Sequence, residues 1–219
     1  VAEQNMMATA AGFASCGKTV FLSTFAAFAA GRAWDQVRVS ISYNNFNVKI
    51  VATHAGITVG PDGASHQALE DIALMRVLAN MNIIVPVDAP QTEDAIMAAA
   101  HQRGPFYIRL GRAQVPTVEN KGEFKFGQAQ LLVEGNDAAI IACGIMVDQA
   151  YIAVNNLAAR GVQARLINMH TIRPLDSAII LRAAQETGVL VVCEEHNVIG
   201  GLASSIDEVV AENFPVKVI

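Results

Sequence analysis

Short apolar, β-branched runs alternate with stretches of helical periodicity along almost the whole chain, and no composition figure constrains the fold as much. An Ala- and Met-rich run over residues 3–15 favours helix, and Gly17 supplies its stop. Residues 19–24 read as a buried strand. Residues 25–40 read as an amphipathic helix, with apolar positions at Phe25, Phe28, Ala29, Ala33 and Val37. Strand 48–53, helix 67–79, strand 83–87, helix 92–102 and strand 106–110 continue the series. Strands alternating with helices in this way predict a parallel, doubly wound α/β sheet.

The alternation breaks at residues 111–127, where Pro116, Asn120, Gly122 and several charges intervene, and it then resumes. Runs 138–143, 147–160, 162–168, 176–186, 189–193 and 202–212 form a second series. Gly161 and Gly188 stand where its helices should stop, and Asp176, after Pro174, is placed to cap the helix it begins. The expected organisation is two consecutive doubly wound, mostly parallel sheet domains over 1–115 and 128–219, joined by a linker at 116–127. With 53% apolar and 16% charged residues, the 219-residue chain can bury cores of that size. The helical opening Val-Ala-Glu-Gln-Asn-Met-Met has no strand before it, and residues 216–219 begin a strand with nothing after it. The first domain is therefore expected to lack its N-terminal part and the second its C-terminal end.

Composition removes several function classes. Fifteen Lys plus Arg against 20 Asp plus Glu, a formal net charge of −5, give no basic field for nucleic acid. Cys16, Cys143 and Cys193 are too few and too widely spaced for a disulfide framework or a thiolate zinc site, which fits a reduced, cytoplasmic setting. The apolar run 21–31 is too short to span a bilayer and lacks the flanks of a signal peptide.

The segment His54-Ala-Gly-Ile-Thr-Val-Gly-Pro-Asp-Gly-Ala-Ser-His66 carries two histidines, an aspartate and three glycines between a strand and a helix, where α/β proteins place their sites. His54, Asp62 and His66 offer metal ligands, and His66 with Glu70 makes half of a zinc-like pair. No second pair accompanies it, so proton transfer and hydrogen bonding to hydroxyls are the better reading. Glu3 is either a solvated helix-start carboxylate or a buried partner for a ring nitrogen. Phe25 and Phe28, three apart on one helical face, are core or a stacking surface for a flat heterocycle. Arg109 and Arg112 at a strand end suit a phosphate or carboxylate. Glu194, Glu195 and His196, with Gly200 and Gly201 after them, make a second pocket-like edge or a turn. Gly12 to Thr19 spells a Walker A pattern, but with helix before and strand after, the reverse of a phosphate-binding loop.

In order, Val-Ala-Glu-Gln-Asn, Ser-Thr-Phe-Ala-Ala-Phe, Thr-His-Ala-Gly-Ile-Thr-Val-Gly-Pro-Asp-Gly-Ala-Ser-His-Gln and Arg-Leu-Gly-Arg-Ala-Gln-Val-Pro resemble the transketolase family of thiamine diphosphate enzymes. The resemblance covers the pyrimidine-binding and C-terminal domains, as in the C-terminal subunit of a split transketolase. It implies that Glu3 holds the aminopyrimidine ring of the cofactor and promotes its imino tautomer. By the same resemblance Phe25 and Phe28 line the pyrimidine pocket, and Gly31 stands where transketolases commonly have a further tyrosine. His54 and His66 match residues that contact sugar hydroxyls and carbonyl and assist proton transfer. Asp62 matches one that fixes a hydroxyl, and Arg112 one that binds the substrate phosphate. The implied reaction moves a two-carbon ketol unit from a ketose phosphate to an aldose phosphate.

Deoxyxylulose-phosphate synthases resemble the chain in Ser-Thr-Phe and Ala-Trp-Asp-Gln-Val, but their glycine loop is typically a residue shorter and carries arginine in place of His54. The β subunits of 2-oxoacid dehydrogenases lack the paired histidines. No Gly-Asp-Gly followed by asparagine, the family's pattern for Mg2+ and diphosphate, occurs in the sequence. The implied partner is a diphosphate-binding N-terminal subunit or domain, in a homodimer or heterotetramer, without which the chain should be inactive. A P-loop nucleotide hydrolase and a noncatalytic assembly module are the readings of other classes.

Overall fold

The computed structural model describes residues 2–119 and 121–219; Val1 of the opening motif and Asn120 of the expected linker lie outside the described residues. Helix α1 (Glu3–Ser15) buries Met7 together with Ala10, Ala11 and Ala14, whose small side chains let it lie close against strand β1 (Val20–Phe25). A helical stretch follows in which α2 (Trp34–Gln36) is flanked by wide π-type turns at Phe28–Arg32 and Val37–Ser42. Next come β2 (Val48–Thr53), α3 (Asp71–Arg76), β3 (Asn82–Ile84), α4 (Ala89–His101) and β4 (Phe106–Arg109). Asp88 caps α4 by accepting from Gln91 N at 2.9 Å, with proline inside the first turn.

Strands β1, β2, β4 and β3 are parallel neighbours in that order, as the alternation predicts. Phe25, expected on a helical face with Phe28, instead closes β1, so the two rings reach one another from a strand end and the start of the next helix. Helix α3 begins only at Asp71, which removes His66 and Glu70 from a common helical face.

The second unit comprises β5 (Gln130–Val133), β6 (Ala138–Ala142), α5 (Met146–Ala158), β7 (Ala164–Asn168), β8 (Thr171–Arg173), α6 (Ser177–Thr187), β9 (Val189–Cys193), α7 (Leu202–Asn213) and β10 (Lys217–Val218). Asp176 caps α6 from Ile179 N at 3.3 Å, and Gly188 ends that helix in the left-handed conformation. The second sheet runs β10-β9-β6-β7-β5, parallel except for β5. Two strands escape the sequence pattern. β5 pairs antiparallel with β7, and β8 leaves its own sheet to pair antiparallel with β3 of the first. The main buried cluster is correspondingly shared, running from Met7, Ile50 and Tyr107 through Ile141, Ile167 and Leu190 to Ile206.

Candidate functional site

The carboxyl ends of β1, β2 and β4 share one edge, and the candidate side chains gather there. Phe25 is in register with Thr53, so the residue after Thr53 sits beside the Phe25 ring. That residue, His54, has φ +58°, a left-handed conformation that turns its imidazole back over Phe25, with centroids 3.8 Å apart and planes 17° apart. Its Nδ1 lies 3.0 Å from Thr53 Oγ1. Phe28 stacks parallel to Phe25 at 5.9 Å, and His66 meets both rings edge-on, at 6.0 Å from Phe25 and 5.3 Å from Phe28. Two phenyl and two imidazole rings thus form one ledge.

Glu3 is buried at the start of α1, and its Oε2 accepts from Arg32 Nη1 at 3.4 Å. The same guanidinium lies over the Phe28 ring, 4.7 Å from its centroid. Glu3, Ala2, Asn5, Met6, Ser23 and Thr24 line an open depression of about 380 Å³. A buried carboxyl group beside an aromatic ledge offers a hydrogen-bond partner and a stacking face to a flat aminopyrimidine, a combination that fits that half of thiamine diphosphate. Among the described residues no three His, Cys, Asp or Glu side chains gather as a metal site.

The 54–66 loop is closed at its base by a paired bridge, Gly56 N to Ala68 O at 2.9 Å and Ala68 N to Gly56 O at 3.2 Å. At its tip Arg112 Nη1 donates to Asp62 Oδ2 at 3.0 Å and also to the Val59 carbonyl. Asp62 and Arg112, two of the expected substrate contacts, are therefore partners of one another. Arg109, the other strand-end arginine, is buried instead of facing a ligand. Its guanidinium donates to Asp71 through Nε at 2.8 Å and Nη2 at 3.1 Å, to Ala68 O at 3.1 Å and to Glu195 O at 2.9 Å. Tyr107 also donates to Asp71, at 2.8 Å. Burial first, and then the Asp71 charge, push its phenol well above the usual range, so it stays a donor.

The second pocket-like edge resolves into two different carboxylates. Glu194 receives Leu202 N at 2.7 Å and Ala203 N at 2.9 Å and so caps α7. Glu195 crosses to the first unit, where its Oε1 accepts from Ile57 N at 2.7 Å and Thr58 N at 2.5 Å. Arg32 is not legible as a site residue in the sequence, and Glu195 is legible only as part of a pocket-like edge, without its partner: each acts on a residue far away in the chain. The Walker-like segment has Gly12 inside α1, an exposed Lys18 and β1 after it, the wrong order for a phosphate loop.

Residues 1–117 match the transketolase pyrimidine binding domain and residues 127–218 the transketolase C-terminal domain. The chain belongs to the transketolase family. A 6-deoxy-6-sulfo-D-fructose transketolase subunit of Clostridium sp. is 42% identical over 217 residues, covering 99% of this chain and 67% of that protein. An apulose-4-phosphate transketolase subunit of Phocaeicola vulgatus is 40% identical over 222 residues, covering 100% of this chain and 71% of that one. A solved split-gene transketolase, an inactive beta4 tetramer, superposes with TM-score 0.93 at 49% identity over 100% of this chain and 72% of its own. The chain thus spans about two thirds of the length of these three proteins. Transketolases are transferases that depend on thiamine diphosphate, and the two α/β sheets are those of the family's pyrimidine-binding and C-terminal domains.

Proposed function

We propose that this chain supplies the aminopyrimidine side and the substrate loop of a ketol-transferring site, completed by a diphosphate-binding subunit or domain that also holds Mg2+. The observation that carries the reading is the continuity from buried Glu3 through Arg32 and Phe28 to Phe25, His54 and His66 on one sheet edge. Thiamine diphosphate, when bound, supplies the electron sink for carbon–carbon cleavage. Glu3 holds a proton at the pyrimidine ring nitrogen, and Phe25 and Phe28 form the wall against which that ring rests. Arg32, whose side chain is 54% exposed, gives way from Phe28. His54 and His66 hold and move protons at the sugar hydroxyl and carbonyl. Asp62 takes a hydroxyl, and the Arg112 guanidinium exchanges part of its contact with Asp62 for the substrate phosphate.

In this reading the donor is a ketose phosphate and the acceptor an aldose phosphate. The relatives' substrates, a sulfonated fructose and apulose 4-phosphate, show how widely transketolase subunits differ in the sugar they accept. The division into units 1–115 and 128–219 about a linker at 116–127, the cytoplasmic setting and a dimer or heterotetramer with the partner belong to the same proposal.

The test combines the folded protein with a diphosphate-binding transketolase subunit, thiamine diphosphate, Mg2+ and a ketose phosphate. Two-carbon transfer is expected only in the complete mixture, and Glu3→Gln should lower it by about 100-fold or more. Failure of every combination by folded protein would overturn the reading.

A further inference from the structure

We infer that Glu195 is a positioning residue, whose carboxylate sets the conformation of the 54–66 loop, and with it both histidines, from the second unit of the fold. Two consecutive loop amides, Ile57 N and Thr58 N, converge on its Oε1 at 2.7 and 2.5 Å, an anion-holding arrangement of successive backbone N–H groups. The fit is tight enough to dictate a neighbouring residue. A Cβ at Gly56 would lie 2.1 Å from Glu195 Oε2, and Gly56 has φ +85°. Only glycine lets the loop backbone pass there.

The contact reaches the other strand of the loop as well. Arg109 Nη2 donates to the Glu195 carbonyl and to the Ala68 carbonyl, and Ala68 is the residue that Gly56 pairs with at the loop base. Side chain and main chain of one residue therefore fix both ends of the segment between the histidines. Its neighbour Glu194 shows what a carboxylate with a local task looks like, since it caps a helix in its own unit. Glu195 instead bonds across 138 and 137 residues, with its charge met by amides and 9% of its surface exposed. His54 stands two residues before Gly56 in a left-handed conformation that persists only where the surroundings over-determine it.

The catalytic consequence rests on the ketol-transfer reading, but the clamp itself does not, and two measurements separate them. Hydrogen exchange on the full chain should show the Ile57 and Thr58 amides exchanging about 10-fold faster or more in Glu195→Ala. Glu195→Gln, which keeps a neutral acceptor, should change them only about 3-fold. In the reconstituted assay Glu195→Ala should raise KM for the ketose phosphate about 10-fold or more. Half-saturation by thiamine diphosphate should rise less, by no more than about 3-fold, because Glu3, Phe25 and Phe28 are held by α1, β1 and the turn after it even though the histidines pack on the two phenyl rings, and Glu195→Gln should restore most of the loss. Unchanged exchange at Ile57 and Thr58 overturns the inference. So does a parallel rise in the sugar and cofactor constants, the mark of general loosening. Should Glu195→Ala fail to fold, Glu195→Gln is read by the same exchange measurement, and exchange there equal to wild type overturns it equally. A wild-type protein that transfers nothing with any partner strikes the ketol-transfer reading, leaving the exchange result to judge the clamp.

Discussion

Lys49 carries an ammonium into the interior of the first sheet, where it is fully buried on β2. Its Nζ donates to Gln102 O at 2.8 Å and Gly104 O at 2.7 Å and lies 4.2 Å from the Phe106 ring centroid. Burial disfavours the charged form and lowers this lysine to about 8. Between that value and the ordinary ~10.4 of an exposed lysine, the unfolded chain binds the extra proton, so stability contributed here rises with pH across the window. Below about pH 8 both states are protonated and the full desolvation cost is present. The neutral amine still has two hydrogens for the two carbonyls. Relative to Lys49→Met, wild type should gain up to about 3 kcal/mol between pH 7.5 and about 10.5. Urea midpoints of the two proteins across that range check it, with other titrations cancelling in the difference. Nothing local in Val-Lys-Ile-Val-Ala announces this, because the groups that accept from Lys49 stand 53 and 55 residues away. The same separation hides the partner of Glu195, which the sequence marks only as part of a pocket-like edge, whereas His54, Asp62 and His66 are visible because their chemistry crowds one short loop that no core would absorb.

Elements with caps and full-length periodicity were readable from the sequence; those defined by a neighbour were not. Asp176 and Gly188 delimit α6 through local hydrogen bonding and a left-handed turn, which sequence patterns encode. Strands β5 and β8 are four and three residues long, too short for periodicity, and each exists because an edge elsewhere accepts it. The 116–127 segment likewise reads as a linker by composition, yet it is tied down. Asp88 Oδ2 accepts from Val118 N at 2.9 Å and from Lys121 Nζ at 2.8 Å, while Oδ1 caps α4. Phe124 and Phe126 pack against the cluster of Ile84, Phe106 and Ile108. One carboxylate thus serves a helix start and a crossing segment together. Asp88→Ala should cost about 2 kcal/mol in chemical denaturation. It should also open residues 116–121 to limited proteolysis while the sheets remain protected.

For the whole molecule, the two units share a buried cluster and a set of arginines that span them. Arg173 donates to the Arg76 and Leu78 carbonyls, Arg76 to the Gly200 carbonyl at 2.8 Å, and Arg109 to Glu195 O. Arg109 is the most committed of these, since its ion pair with Asp71 is buried on both sides. Arg109→Met would strand Asp71 as an unpaired buried charge, so we expect a loss of about 3–5 kcal/mol and a correspondingly lower Tm by calorimetry. The Asp71→Asn, Arg109→Met double variant should recover part of that loss. The antiparallel pairing of β8 with β3 bears on solubility as much as on geometry. A parallel sheet ending at β3 would offer a row of open amides and carbonyls to any passing strand, the usual seed of intermolecular sheet growth. By lending three residues to that border, the second unit leaves the first with one fewer place where another copy of the chain can add on.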